Sequence, residues 1–176
     1  MTAGLAIACA SLAVWIYLIA ARGGFWRAAE RDDREQPPEP HLDGFADGRN
    51  GLPRGRICNH TATIGVFLTT TPRTFAGNLT VWPGTHHRYQ QYFRTRGPRA
   101  MVEPMPAIEL GAPVQLLCEA GDVVLLHYEL AHTAAVNTSD VDRIAVYFRL
   151  RLRDIDAQRW ECLTNLWRGW RIADSP

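Results

Sequence analysis

The chain has 176 residues, a net charge of +1 and four cysteines. This length suits one domain that buries roughly two-thirds of its unfolded surface, so neither a disulfide framework nor a structural metal is required for folding. Arginines are scattered among acidic residues and form no basic face, which argues against nucleic acid and favours a small-molecule partner. The cysteines form no C-x-x-C pair, which indicates reduced thiols in a cytoplasmic protein.

An uncharged, largely apolar run covers residues 4–21. At about 18 residues it is just long enough to cross a membrane as a helix, and Arg22 and Arg27 follow it as the cytoplasmic flank of an anchor would. Its many alanines suit a buried N-terminal helix or an atypical start equally well. Two alternatives therefore stay open, a cytoplasmic protein and a protein anchored by a single N-terminal span.

Residues 30–40 are charged and rich in proline, a composition that indicates a linker. The chain is therefore expected to divide into residues 1–40, an apolar segment and linker, and residues 41–176, a folded domain.

The domain begins with the stretch Pro-His-Leu-Asp-Gly, residues 40–44. Alternate side chains of an extended strand share a face, so His41 and Asp43 would place an imidazole beside a carboxylate. Alone, this pair is equally compatible with a solvated turn that ends at Gly44.

Six stretches with β-branched and apolar residues, bounded by turn residues, predict strands. They cover residues 61–71, 78–82, 114–118, 123–127, 132–136 and about 143–151. Short strands at this spacing are typical of a mainly β sandwich or jelly roll. A short helix is predicted around residues 88–93.

The C-terminal segment carries large apolar residues at helical spacing behind two aspartates that could cap a helix. The apolar residues are Trp160, Leu163, Trp167 and Trp170, and the aspartates are Asp154 and Asp156. This pattern predicts an amphipathic C-terminal helix that packs on the sheet.

Alternation in the last predicted strand separates a polar face from an apolar one. Arg143, Tyr147 and Arg149 share the polar face. If residues 137–140 form a hairpin loop, the register places His132 and Arg143 on one face. With a register shifted by one residue, Arg143 would be an ordinary surface arginine.

His41, Asp43 and His132 together have the composition of a facial triad. Two imidazoles and one carboxylate bind one side of Fe(II) in non-haem oxygenases and leave three positions open for a co-substrate and oxygen. A nearby arginine can bind a carboxylate through two parallel hydrogen bonds.

The order of these residues resembles the phytanoyl-CoA dioxygenase family of Fe(II)/2-oxoglutarate oxygenases. The resemblance covers roughly residues 41–151 and also includes Gly-Asn-Leu-Thr-Val-Trp-Pro-Gly-Thr-His at 77–86 and Gly-Asp-Val-Val-Leu-Leu-His at 121–127. It implies a double-stranded β-helix, with iron ligands at His41, Asp43 and His132. Arg143 would then bind the distal carboxylate of 2-oxoglutarate.

The resemblance implies that the triad is catalytic and that a small organic substrate is oxidised with O₂, forming succinate and CO₂. Asp43 is present where halogenating relatives lack the carboxylate, so hydroxylation or another oxidation is favoured over halogenation. Trp82, Tyr147 and Arg149 could line the substrate pocket, although a packed aromatic and a surface arginine are equally compatible with the pattern.

Two other hypotheses stay open from the sequence. Residues 1–40 contain no predicted strand, so the first barrel strands could be incomplete and the chain a catalytically inactive, membrane-tethered jelly roll that binds a ligand. A third interpretation is a cupin-like metal protein that uses His86 and His87.

Overall fold

The described residues of the computed structural model are 39–45, 52 and 57–170. The expectations for the apolar run at 4–21, and those for most of the linker, lie outside them. Within the described ranges, no helix combines the length and the apolar character that crossing a membrane requires. These residues all belong to a compact unit that spans 37–176.

Six strands in the described residues form two antiparallel sheets. They are β1 (Ala62–Phe67), β2 (Leu79–Val81), β3 (Val114–Gln115), β4 (Val123–His127), β5 (His132–Ala134) and β6 (Ala145–Leu150). One sheet has the strand order β4-β1-β6 and the other has the order β3-β2-β5. Each strand lies within a predicted stretch, and the mainly β prediction is confirmed.

Two hydrophobic clusters hold this unit together. One cluster contains buried residues from both sheets, and its members are Phe67, Leu79, Val81, Cys118 and Leu126. The larger cluster joins the segment at 42–45 to the helices through Leu42, Phe45, Ile57, Trp82, Tyr89, Phe93, Ala100, Tyr128, Ala131 and Leu163. The candidate ligand segment is therefore attached to the core through Leu42 and Phe45.

Two α-helices and a 3-10 helix lie on the described chain. Helix α1 (Thr85–Arg96) is longer than predicted, a 3-10 helix covers Pro98–Val102, and α2 covers Arg159–Thr164. The Thr85 hydroxyl donates to the Trp82 carbonyl at 2.8 Å and accepts from the backbone N–H of Ala131 at 2.9 Å. These bonds connect the start of α1 to the residue that precedes β5.

The predicted long C-terminal helix is wrong beyond Thr164. Asn165 adopts an extended conformation at the end of α2, and Gly169 has a φ of 81°, so two weak helix formers interrupt the periodic pattern. Trp167 and Trp170 pack against the His127 ring instead of forming a helical stripe. The cap is Gln158 without a side-chain bond, so the predicted aspartate caps are also wrong.

The predicted hairpin between residues 132–136 and 143–151 is wrong as well. Its two strands, β5 and β6, belong to different sheets. Asn137 forms an isolated antiparallel bridge with Ala76, and its side chain accepts a 3.0 Å bond from the backbone N–H of Ser139. The long-range bridge to Ala76 and the local turn at Asn137 together direct the chain from one sheet to the other.

The two faces of β6 differ in their contacts and not in their exposure. On the polar face, the Arg149 Nε donates to Asp43 at 3.0 Å. Arg143, two residues before β6, donates from its Nε to the Gly77 carbonyl at 2.9 Å. Tyr147 on the polar face and Val146 on the apolar face are both exposed by 40%.

Candidate functional site

His41 and His132 are brought together by a backbone bridge at the edge of the second sheet. The N–H of each residue donates to the carbonyl of the other, at 3.0 Å and 3.1 Å. Residues directly opposite each other in an antiparallel pair place their side chains on the same face. The two imidazoles consequently lie side by side, with ring centroids 4.9 Å apart.

Asp43 is placed two residues after His41 by a short segment with one buried anchor and one tight turn. Leu42 between them is buried in the larger core cluster, so its neighbours on either side face away from that core. Gly44 then has a φ of 82°, and its carbonyl accepts a 2.8 Å bond from the N–H of Cys58. The turn therefore determines where the Asp43 side chain lies.

We expect Gly44→Ala to destabilise the protein more than Gly84→Ala. Both glycines have a φ of 82°, but a Cβ at Gly44 would lie 2.4 Å from the Cys58 carbonyl oxygen, whereas nothing lies within 4 Å at Gly84. Gly84→Ala should cost about 1 kcal/mol for the left-handed conformation. Gly44→Ala should cost about 3 kcal/mol because the steric overlap adds to it.

Urea unfolding of both variants measures this difference in the free energy of unfolding. Equal losses would show that only the backbone conformation matters at Gly44, and that the close approach to Cys58 does not constrain the turn.

The side chains of His41, Asp43 and His132 converge on one point. Their potential ligand atoms all lie within 4.8 Å of one another. The Asp43 Oδ1 is 3.8 Å from the His41 Nε2 and 3.9 Å from the His132 Nε2. The structure thus assembles the three residues that the sequence pattern singles out.

The tautomers of both histidines follow from their second ring nitrogens. The Nδ1 of His41 lies 3.0 Å from the Glu39 carbonyl, and the Nδ1 of His132 lies 3.0 Å from the Leu130 carbonyl. Because a carbonyl oxygen can only accept, each Nδ1 carries the hydrogen and each Nε2 keeps a free lone pair. Both lone pairs lie on the ring edge nearest Asp43.

This donor set fits a divalent transition metal. Burial lowers the pKa of His132, against the opposing effects of the Leu130 carbonyl and Asp43, so the neutral, ligating form is favoured. Metal-bound histidines commonly donate their other N–H to a carbonyl, as both do here. Two neutral nitrogens and one carboxylate oxygen on one side of an ion match the facial geometry of Fe(II) oxygenases.

Asp43 has a second charged partner, Arg149 of β6. The Arg149 Nε donates to the Asp43 Oδ2 at 3.0 Å. Burial raises the pKa of the Asp43 carboxyl, but the hydrogen bond from Arg149 and the charges of His132 and Arg149 outweigh it and leave the pKa below the usual range. Asp43 is therefore an anion, which is the form that binds a cation.

Three buried polar side chains lie close enough to one another to interact behind the triad. The His60 Nε2 is 2.7 Å from the Thr63 hydroxyl, and burial lowers the pKa of His60 to about 4. Burial raises the pKa of Tyr128 and that of Glu129 well above their ordinary values. His60 is therefore neutral near pH 7, and burial favours the neutral forms of Tyr128 and Glu129.

Arg143 lies two residues before β6 and is held from two sides. Its Nε donates to the Gly77 carbonyl at 2.9 Å, and its side chain is hydrogen-bonded to Tyr147. A guanidinium has five N–H donors, so further donors stay available for a carboxylate.

Tyr147 packs across the neighbouring strand at Gly65. A Cβ at Gly65 would lie 2.8 Å from the Tyr147 ring, so only glycine accommodates the ring there. Tyr147 thereby lies on the face of β6 that also carries Arg149, and its phenol interacts with Arg143.

Trp82, His86 and His87 are not among the residues that converge with the triad. Trp82 is buried in the larger core cluster, in keeping with the packed-aromatic alternative. His86 and His87 lie in the first turn of α1, with ring centroids 4.2 Å apart. Within the described ranges, the only group of three potential metal ligands that converge is His41, Asp43 and His132.

The bond between Arg149 and Asp43 is the part of the site that sequence reasoning missed. Arg149 shares the polar face of the strand predicted at 143–151 with Arg143, and this alternation is the signal that the sequence offers. Which residue it would meet depends on how the two sheets face each other, and no local pattern contains that information.

The fold and the site together define a mainly β protein with a candidate centre for a divalent metal, built from two histidines and one carboxylate. The chain belongs to the phytanoyl-CoA dioxygenase (PhyH) family, whose sequence profile matches residues 40–145. No curated protein matches the chain significantly.

Solved structures similar to the chain include a non-heme monooxygenase, ThoJ, in complex with nickel. It is 21% identical over 64% of this chain and 38% of its own, with a TM-score of 0.39. The non-heme alpha-ketoglutarate-dependent epimerase SnoN from nogalamycin biosynthesis is 25% identical over 64% of this chain and 39% of its own, with a TM-score of 0.37.

The non-heme alpha-ketoglutarate-dependent carbocyclase SnoK from nogalamycin biosynthesis is 28% identical over 70% of this chain and 50% of its own, with a TM-score of 0.39. The chain therefore spans between 38% and 50% of the length of these three solved chains.

Proposed function

We propose that this chain is the metal-binding part of an Fe(II)/2-oxoglutarate-dependent oxygenase that hydroxylates a small organic substrate. The observation that carries the proposal is the convergence of two lone-pair Nε2 atoms and one carboxylate oxygen within 4.8 Å. Membership of the phytanoyl-CoA dioxygenase family supports it. The proposed catalytic domain is 41–176, and its two sheets form the two sides of a double-stranded β-helix.

His41, Asp43 and His132 are the proposed metal ligands in this function. An Fe(II) ion held by them would supply the activation of O₂ that is coupled to conversion of 2-oxoglutarate into succinate and CO₂. The carbonyls of Glu39 and Leu130 hold the two imidazoles in the ligating tautomer. The ligand atoms are thus preorganised before any ion binds.

Arg143 is the proposed anchor for the distal carboxylate of 2-oxoglutarate. Its bond to the Gly77 carbonyl and its contact with Tyr147 restrict the position of the guanidinium. A preorganised guanidinium loses little conformational entropy when it binds a carboxylate. Tyr147, which is half exposed beside it, is a proposed pocket residue.

The proposal is tested by an anaerobic mixture of the protein, Fe(II) and 2-oxoglutarate. A weak charge-transfer band in the visible range is expected, and it should disappear when 2-oxoglutarate is left out. A folded protein without the band would contradict the proposal and favour the inactive jelly-roll alternative. Circular dichroism of the same sample shows whether the protein is folded.

A further inference from the structure

The two oxygens of Asp43 face different partners. Oδ1 lies 3.8 Å and 3.9 Å from the two histidine Nε2 atoms. Oδ2 accepts the 3.0 Å hydrogen bond from the Arg149 Nε. The carboxylate is therefore divided between the candidate metal position and one guanidinium.

Arg149 reaches Asp43 across the space between the two sheets. Arg149 lies opposite Thr63 in the pairing of β6 with β1, whereas Asp43 follows the segment that bridges to β5. No neighbour in sequence could supply this contact. The register of β6 on β1 is what directs the guanidinium to the carboxylate.

The ion pair itself contributes little to stability. The Arg149 side chain is 62% exposed, and exposed pairs of this kind are worth about 0–1 kcal/mol because water screens them. We therefore expect the ion pair to affect the orientation of the Asp43 carboxylate more than the stability of the fold.

A carboxylate can bind a metal through one oxygen or through both. When a charge-assisted hydrogen bond engages one oxygen, only the other is free for the ion. Three single bonds from the triad leave three of six positions open, whereas a carboxylate that uses both oxygens leaves two. A chelating keto acid and O₂ together need three.

We propose that Arg149 is a positioning residue that holds Oδ2 and so restricts Asp43 to one metal bond through Oδ1. This inference rests on the proposed function, because it concerns the number of open positions at the triad. It assigns to Arg149 a role through Asp43 and no direct contact with the substrate.

The test uses the full chain loaded with Co(II) and saturated with oxalate, a chelating probe that takes two open positions and has no distal carboxylate for Arg143. Azide then probes the third position. Azide should bind the oxalate complex of Arg149→Leu about tenfold more weakly than that of the wild type, as expected for loss of a partner that orients a ligand. The visible Co(II) absorption should change as well. Ethylguanidinium added to Arg149→Leu should restore both readouts, because the site of the lost side chain is exposed.

Arg151→Leu is the matched control. Arg151 lies two residues after Arg149, directly beyond the end of β6, and pairs with Asp156 instead of Asp43. Its substitution should leave azide binding to the oxalate complex and the Co(II) spectrum unchanged. A change equal to that of Arg149→Leu would show a general effect of charge on β6 and overturn the proposal.

Two further outcomes separate this inference from the proposed function. If the oxalate complex of Arg149→Leu binds azide like that of the wild type with the same spectrum, Arg149 does not position Asp43, although the metal site stands. The same conclusion follows if Arg149→Leu loses Co(II) and its fold together and ethylguanidinium restores neither. If the wild type binds no Co(II), or if His132→Ala binds Co(II) as tightly as the wild type does, the proposed function fails. This inference then fails with it.

Discussion

Replacement of His132 by alanine should abolish stoichiometric metal binding. His132 supplies one of three convergent ligand atoms, and loss of a residue that merely orients a ligand already costs about 10–100-fold in metal affinity. Loss of a ligand itself should therefore lower the metal affinity by more than about 100-fold. Equilibrium dialysis against Fe(II) or Co(II) under anaerobic conditions, followed by metal analysis, measures the effect.

His87→Ala is the matched control for this prediction. His87 is an exposed histidine in the first turn of α1, so its loss should leave metal content unchanged. Retention of the metal in folded His132→Ala would contradict the assignment of the triad. Loss of the metal in His87→Ala with retention in His132→Ala would instead support the cupin-like interpretation that uses His86 and His87.

Replacement of Arg143 by leucine should weaken 2-oxoglutarate binding by about 100-fold, because two charge-assisted hydrogen bonds to the distal carboxylate are lost. Metal binding should be unaffected, since Arg143 contacts Gly77 and Tyr147 and none of the three candidate ligands. Titration of the metal-loaded protein with 2-oxoglutarate, followed through the charge-transfer band or tryptophan fluorescence, measures the affinity.

Pyruvate provides the internal comparison for Arg143. It is a 2-oxo acid without a distal carboxylate, so the wild type should prefer 2-oxoglutarate strongly and Arg143→Leu should lose that preference. Arg73→Leu, a change at an exposed arginine that bonds to Thr138, should keep it. An unchanged preference in Arg143→Leu would show that another group binds the distal carboxylate.

Strand positions are well predicted from local sequence. The predicted strand at 123–127 is observed with those bounds as β4, and β6 lies within the predicted 143–151. Alternation of side chains is a property of the single strand, so the faces of β6 also follow from sequence. The mainly β class follows from the same signals.

Errors occur where bonds between distant residues outweigh local preference. The helical spacing of the tryptophans predicts a helix through Trp170, yet α2 ends at Thr164. The later tryptophans, Trp167 and Trp170, pack against His127 instead. The turn residues at 137–140 between two predicted strands favour a hairpin of β5 with β6, but these strands belong to different sheets. The bridge from Asn137 to Ala76 connects residues that no hairpin pattern would pair.

The sequence by itself determined the chemical types in the site: the spacing of His41 and Asp43, the later His132 and Arg143, and the likeness to one family. These depend on residue identity and order, which folding does not change. Only the tertiary structure decided that His41 pairs with His132, that both Nδ1 atoms are bound to carbonyls, and that Arg149 holds Asp43. Each of these contacts depends on strand register and on the approach of two sheets, which arise from packing over the whole unit and not from any local stretch.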